Sequence, residues 1–297
     1  MPKRAFVLAA GLGTRLRPYT ELVPKPLFHV LGRPILEIIL DQLRAAGFTE
    51  IGLNLHHFPE KIEAFLASYR ERHPEISLFP FREEELLGPV GAFFGAASFF
   101  EEGPVLVVNA DVLTNFSFEA LLCAHRRFGA VATLLLHAHP DYRNVLLEGE
   151  RIIGFSPGTG FAYTGLQVVG PELVSLLEPG DRDLVPAYGR LIREGAFIAG
   201  LLGAGFYWRD IGTLPSYLAA HGELLKRKAA LPGLSPPSSP QVTTGARVGP
   251  GVVFEDWVFL EPGVEVEAGA RLRRVVAWAG ARIPKGLHED SLFVPDV

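Results

Sequence analysis

A glycine loop flanked by cations opens the chain. The run Leu8-Ala-Ala-Gly-Leu-Gly-Thr-Arg-Leu-Arg-Pro-Tyr-Thr20 is followed by Pro24-Lys25-Pro26. Gly11 and Gly13 let backbone N–H groups approach an anion and adopt dihedral angles closed to other residues. Thr14 adds a hydroxyl, and Arg15 offers a planar fork that matches phosphate oxygens. Lys25 sits between two prolines, so its charge is carried on a stiff backbone. These residue types at this spacing make a cradle for a polyphosphate. A dinucleotide fingerprint does not fit, because Leu16 stands where G-x-G-x-x-G needs a third small residue. The P-loop string G-x-x-x-x-G-K-[ST] is absent from the sequence.

The cradle needs elements to hold it. Ala5 to Ala10 is a continuous apolar run that reads as a buried strand feeding the loop. Pro34 to Ala46 places Ile35, Ile38, Ile39 and Leu43 at helical spacing, and Gly47 stops it. Ile51 to Leu55 predicts a second strand and Glu60 to Tyr69 a second helix. Val105 to Val108 predicts a third strand, ending at Asn109-Ala-Asp111. Such βαβα order predicts an α/β fold with a Rossmann-like, mainly parallel sheet flanked by helices. Ligands of such sheets sit at the carboxyl ends of the strands, where both the glycine loop and Asp111 fall.

Residues 1–230 are therefore expected to form the catalytic domain. The Pro/Ser stretch 231–240 cannot continue a helix and reads as a linker. Beyond it the apolar pattern has period six: Val242, Val248, Phe254, Leu260, Val266, Leu272 and Trp278. Four residues after them come Ala246, Val252, Val258, Val264, Ala270 and Val276, with glycines at the expected turn positions 245, 249, 251, 263, 269 and 280. Residues 241–297 are thus expected to form a short C-terminal left-handed parallel β-helix of hexapeptide repeats. Its last coil needs a cap or a partner copy, so a homo-oligomer through this region is one expectation.

Composition bounds the remaining classes. The 297 residues are 48% hydrophobic and 21% charged, an ordinary globular balance. A net charge of -5 argues against a general nucleic-acid binder. Lys3 and Arg4 before an apolar run could mimic a secretory signal, but glycines and arginines follow at once where a cleavage region belongs. No segment approaches the roughly 18 apolar residues of a membrane helix, so no membrane partner is expected. Cys123 is the single cysteine, which excludes an internal disulfide and fits a reducing cytoplasm.

The string G-x-G-T-R-L-x-P-x-T with Pro-Lys-Pro resembles the signature of the sugar-phosphate nucleotidylyltransferases, also called nucleoside-diphosphate-sugar pyrophosphorylases. The resemblance runs through the chain, since several members carry a six-residue-repeat β-helix after the catalytic domain. It implies transfer of a nucleotidyl group from a nucleoside triphosphate to a sugar 1-phosphate, with pyrophosphate released. Leu8, Ala10, Gly11, Gly13 and Thr14 then line the nucleotide. Glu85-Leu-Leu-Gly-Pro-Val-Gly91, with Glu85 and Gly88, looks like the loop that flanks the base. Asp111 and, in Trp208-Arg-Asp-Ile-Gly-Thr213, Asp210 look like the two aspartates that hold Mg²⁺. Arg15 and Lys25 complete the implied catalytic set, and Tyr163-Thr164-Gly165 resembles the sugar-contacting strand. The sugar phosphate is already ionised near neutral pH, with a second pKa near ~6, so no general base is needed. The task left to the protein is to align two polyanions and stabilise the leaving pyrophosphate.

Two departures concern the sugar side. Where many members have Glu-Lys-Pro, this chain has Gly154-Phe-Ser-Pro157, without the lysine. The usual Tyr-Gly is replaced by Arg143-Asn144, and Arg143 is the candidate to take over the phosphate contact. GTP with mannose 1-phosphate is the first expectation, with UTP or dTTP and another sugar 1-phosphate as the alternative. A regulatory relative that only binds a sugar nucleotide would have lost Arg15, Lys25 or an aspartate. An acyltransferase would need a longer β-helix and a histidine in an interior groove, and the repeat region has only His288, beyond the phased part.

Other chemistry-bearing residues have plainer readings. His56 and His57 point to opposite faces if they lie on a strand, which favours structural roles. His137 and His139 could share a face but lack a third ligand. Cys123 reads as a small core residue on a helix.

Overall fold

The computed structural model describes residues 2–235 and 237–295. Pro236 of the expected linker, and Met1, Asp296 and Val297 at the outer bounds of the expected domains, lie outside the described residues. The chain divides into two compact units, Met1–Leu12 with Ile39–Trp208, and Gly13–Ile38 with Arg209–Val297.

The first unit is built on a nine-stranded sheet. Its spatial order is Ser77–Arg82, Phe48–Leu55, Lys3–Leu8, Val105–Asn109, Ala162–Val169, Ala132–His137, Ile198–Gly203, Arg151–Phe155, Val145–Glu148. Ala162–Val169 and Arg151–Phe155 run against all the others, so the sheet is mixed but mainly parallel. The continuous apolar runs are explained by burial on both faces: Ala5, Phe6, Val7, Val105, Leu106 and Val107 are all fully buried. Phe6 anchors the core, with Phe100 at 5.1 Å and Phe81 at 5.8 Å between ring centroids. A Cβ on Gly52 would lie 2.5 Å from the Phe6 ring, so glycine lets the neighbouring strand pass that ring.

Two expectations are corrected here. The first strand ends at Leu8, not Ala10, because Ala9 N–H donates to the Asn54 side chain at 2.8 Å instead of to a neighbouring strand. Cys123 does lie on a helix, Phe118–Phe128, but it is exposed. That helix starts where Ser117 Oγ accepts from Ala120 N–H and stops at Gly129, whose φ is 61°. Its buried stripe is Phe118, Leu121, Leu122, Ala124 and His125, and Cys123 falls on the opposite side.

The second unit contains a four-stranded and a three-stranded sheet, both parallel. Val258, Leu260, Val264, Val266, Ala270 and Leu272 pack together as the inner core, in the six-residue phase the sequence predicts. The phase then slips. Val258 pairs with Val275 rather than Val276, so Val275 and Ala277 face inward. The corner at Arg274, held at a φ of 54°, uses one residue fewer than its predecessor. Val276 and Trp278 therefore face outward, which corrects their expected place in the repeat. They are buried all the same. Trp278 stacks edge-on to Phe28 at 5.1 Å, and its Nε1–H donates to Tyr217 Oη at 3.0 Å.

Tyr217 belongs to the helix Leu214–Leu225, whose N-cap Thr213 accepts from Ser216 N–H. The same helix carries His221, which is fully buried and accepts from Leu31 N–H at 3.3 Å through Nε2. His29 pairs with the buried Glu261 at 2.8 Å. The segment around 28–31 is thus tied to this helix and to the C-terminal sheets by three separate contacts.

Candidate active site

In the first unit, three strand ends come level. Leu8 pairs with Asn54 on one side and Asn109 on the other. Gly11 follows the first strand and Asp111 the fourth, and Ala110 N–H donates back to Leu8 O at 3.0 Å. Gly165 lies beside Asn109, since a Cβ there would be 2.6 Å from Asn109 Nδ2 and its φ is +80°. Only glycine allows that approach and that dihedral together. Thr164 is buried, and its backbone oxygen accepts the Trp208 indole N–H at 2.8 Å. Leu8, Ala10, Gly11, Asp111, Thr164 and Gly165 are thus gathered at the carboxyl edge of one sheet. Tyr163 is the exception, because its side chain packs against the hydrophobic core.

The base loop separates into two parts. Gly88, at φ +77°, presses on the Arg182 carbonyl, which a Cβ would reach at 2.5 Å, and starts the helix Gly88–Gly95. Glu85 is exposed, whereas Glu83, two residues earlier, is half-buried and meets the strand ends. Asn54 Nδ2 donates to Glu83 Oε1 at 2.8 Å while Asn54 Oδ1 holds Ala9 N–H. Burial pushes the Glu83 carboxyl upward, opposed by the Asn54 hydrogen bond and the nearby His56. Its Oε2 is buried without a hydrogen-bond partner among the described residues. The sequence does not single out Glu83, because three glutamates stand in a row at 83–85, and only burial and the hydrogen bond to Asn54 show which one turns inward.

In the second unit, Gly13 is the pivot of the loop, with φ 62° and ψ 31°. Thr20 Oγ1 donates to Gly13 O at 3.1 Å, and the Lys25 side chain lies alongside, 3.5 Å from where a Gly13 Cβ would be. Lys25 is 8% exposed, an unusual degree of burial for an ammonium. Thr14 and Arg15 start a short 3-10 helix and are exposed. Gly212 touches both Arg15 and Asp210: a Cβ there would overlap Arg15 Nη2 and lie 2.6 Å from Asp210 Oδ1. Asp210 Oδ1 also accepts from Gly212 N–H, and Ser216 Oγ donates to Asp210 O. Arg209 next to it is clamped by Glu223, with Nε to Oε2 at 2.8 Å. Gly13, Arg15, Lys25 and Asp210 therefore cluster within one unit, although residues 26–209 separate Lys25 from Asp210 in sequence.

On the sugar side, Arg143 is exposed, and its backbone oxygen accepts from Gly158 N–H at 2.8 Å. This ties it to the loop after Gly154-Phe-Ser-Pro157. His56 lies just past its strand and meets Glu83 O at 3.0 Å, and the His57 ring lies tilted against Phe58, 4.4 Å between centroids. Both have structural contacts.

Among the described residues, no three His, Cys, Asp or Glu side chains gather as an all-protein metal cage. Asp111 and Asp210 are half-buried carboxylates. Hard oxygen donors of this kind, one or two with substrate phosphates and water completing the shell, suit Mg²⁺.

A family profile described as nucleotidyl transferase matches residues 4–144. The mannose-1-phosphate guanylyltransferase of Mycobacterium tuberculosis is 30% identical over 298 residues, covering 95% of this chain and 81% of that protein. The UTP–glucose-1-phosphate uridylyltransferase of a Synechocystis species is 28% identical over 305 residues, covering 91% and 76%. Among solved structures, a UDP-glucose pyrophosphorylase from Acinetobacter baumanii superposes with a TM-score of 0.65 at 22% identity, covering 76% and 94%; this likeness concerns the fold. The chain belongs to the nucleotidyl transferase family, among the sugar-1-phosphate nucleotidylyltransferases. It is an enzyme of that class. None of its helices among the described residues is long and apolar enough to cross a membrane.

Proposed function

We propose that this enzyme joins mannose 1-phosphate to GTP, forming GDP-mannose and pyrophosphate. An oxygen of the sugar phosphate attacks the α-phosphorus in line, a new P–O bond forms, and the bond to the leaving pyrophosphate breaks. Arg15 binds the departing β- and γ-phosphates, and Lys25 steadies the α-phosphate. Gly11, Gly13 and Thr14 supply backbone and hydroxyl donors to the same oxygens. Asp111 and Asp210 would hold Mg²⁺, which when bound neutralises phosphate charge and aligns the two substrates. Gly165 and Thr164 border the sugar. The C-terminal sheets form a left-handed parallel β-helix that stabilises or assembles the enzyme, in a cytoplasmic setting where nucleoside triphosphates are abundant.

The observation that carries the base is Glu83. Guanine presents two adjacent donors, N1–H and N2–H, and a carboxylate accepts both. Uracil and thymine present one N–H between two carbonyls, which a carboxylate repels. The buried Glu83 Oε2 without a partner is the group suited to guanine. Replacing Glu83→Gln keeps an acceptor for Asn54 and turns the other position into a donor. The ratio of kcat/KM for GTP over UTP is expected to fall by about tenfold or more, the value of one hydrogen bond to a charged group. An unchanged ratio removes Glu83 from base reading.

A UTP enzyme is the second reading, favoured by the Synechocystis relative. A grid of triphosphates and sugar 1-phosphates, read by pyrophosphate release with Mg²⁺, decides between them. Release that requires GTP and mannose 1-phosphate together supports the first reading, and release with UTP alone replaces it.

A further inference from the structure

At the carboxyl end of the strand Ala132–His137 lies a cluster of rings that the proposed reaction does not yet use. His137 is 4.9 Å from Phe206 and 5.8 Å from Trp208 between centroids. His139 lies 5.6 Å and Tyr142 5.8 Å from the same indole, both nearly perpendicular to it. Trp208 is fixed in turn by its hydrogen bond to Thr164 O. His137 pairs across the sheet with Ala162, the residue before Tyr163-Thr164-Gly165. The cluster therefore borders the strand whose Gly165 touches Asn109, two residues from Asp111.

Two features separate it from ordinary core packing. Tyr142 is 55% exposed and His137 and His139 are half-buried, so the rings form a wall at the surface. Second, His137 Nδ1 is buried with no hydrogen-bond partner among the described residues. A polar atom shielded from water and left unsatisfied destabilises the free fold, and such groups persist where a ligand completes them. His139 has a defined state as well. Its Nδ1 accepts from Asp141 N–H at 3.1 Å and Tyr142 N–H at 3.3 Å, so the neutral ring carries its proton on Nε2 as a donor.

We infer that this wall determines which sugar the enzyme accepts: the pyranose of the sugar 1-phosphate lies against the Trp208 and Tyr142 rings, and His137 completes a hydrogen bond to one of its hydroxyls. The inference rests on the reading of the chain as a sugar-1-phosphate nucleotidylyltransferase. Apolar C–H faces of a pyranose pack on aromatic rings, while imidazole nitrogens take its hydroxyls, so both parts of the wall match one ligand class. The loop Gly154-Phe-Ser-Pro157, which lacks a lysine, is tied to the segment after Tyr142, with Ser156 N–H donating to Asn144 O at 2.9 Å, so more of the grip on the sugar is left to these rings.

The test separates a ligand role from a packing role by one substitution. His137→Phe keeps a ring against Phe206 and Trp208 and removes both nitrogens. Removing an unsatisfied buried nitrogen is expected to leave the melting temperature equal or higher. KM for the sugar 1-phosphate is expected to rise about tenfold or more, with KM for the triphosphate within about twofold of the wild type. His137→Gln, which restores a hydrogen-bonding group, is expected to recover part of the loss, and it serves if His137→Phe fails to fold. An unchanged sugar KM, or an equal rise for both substrates, overturns the inference. If the wild type turns over no pair at all, the proposed function falls and calorimetric titration with sugar 1-phosphates alone decides the wall. Binding by the wild type that His137→Phe abolishes supports it, and no binding by the wild type overturns it.

Discussion

Asp111→Asn is expected to lower pyrophosphate release by a factor on the order of 10²–10³ or more, with the fold unchanged. Asn keeps the size and one oxygen of Asp, so packing between the Val105–Asn109 strand and the following Val112–Thr114 strand is retained. What it loses is the negative charge that a hard cation needs. Both substrates are polyanions, and a neutral amide oxygen holds far more weakly than a carboxylate the cation that would offset their repulsion. Asp210→Asn is expected to act in the same direction. Its Oδ1 also accepts from Gly212 N–H, so that variant is expected to lose some order in the 210–213 turn as well. The measurement is single-turnover pyrophosphate release across a Mg²⁺ titration, with the thermal unfolding midpoint as control. Normal turnover at normal Mg²⁺ demand in Asp111→Asn would falsify the metal assignment.

Much of this arrangement was legible because it follows from strand ends. A buried strand running into glycines, and another ending at Asn109-Ala-Asp111, have to place those residues at one edge of a parallel sheet, and the register of Leu8 with Asn109 is the result. What was not legible depends on side chains that choose between equivalent neighbours. Three consecutive glutamates are indistinguishable in sequence, yet only Glu83 meets Asn54. Ala9 and Ala10 continue an apolar run, but a single side-chain acceptor on Asn54 ends the strand before them. The period-six pattern continues through Val276 and Trp278 on paper. It breaks in space because the corner at Arg274 holds one residue fewer than the equally left-handed corner at Asp256, and the apolar residues displaced outward are then covered by the Leu214–Leu225 helix and by Phe28. Association of residues 13–38 with the C-terminal part of the chain has no local signal at all. It arises from contacts such as His29 with Glu261, which are 232 residues apart.

The second large effect concerns acid. His221 is fully buried, and burial lowers its pKa to about 4 from an ordinary 6.5; a hydrogen bond to Tyr217 O and the Glu261 charge oppose this, and His29 adds to it. His125 is likewise lowered to about 4, chiefly by burial, with a smaller contribution from Arg126. Both rings are held neutral by the fold. The unfolded chain takes up their protons near 6.5, so between pH 6.5 and about 4 it binds more protons than the folded one. Stability is therefore complete above 6.5 and declines as pH falls toward 4. For His221 the full loss corresponds to about 3 kcal/mol, and His125, less completely enclosed, adds less. Carboxylates act in a different window. Glu63, Glu119 and Glu255 are lowered by hydrogen bonds from Arg82, Lys3 and Arg271, so their contributions persist down to about 4.5 and are lost only below it. Glu83 is the exception: burial raises its carboxyl, so it contributes in the opposite sense, and the share of the histidines in the denaturant midpoints between pH 7.5 and 5 is read by substitution. His221→Gln, which keeps an acceptor for Leu31 N–H but cannot titrate, is expected to be less stable at pH 7.5 and to show a shallower fall toward pH 5. A slope equal to that of the wild type would mean that His221 is protonated in the folded protein, and that the helix Leu214–Leu225 opens to water well before the fold is lost.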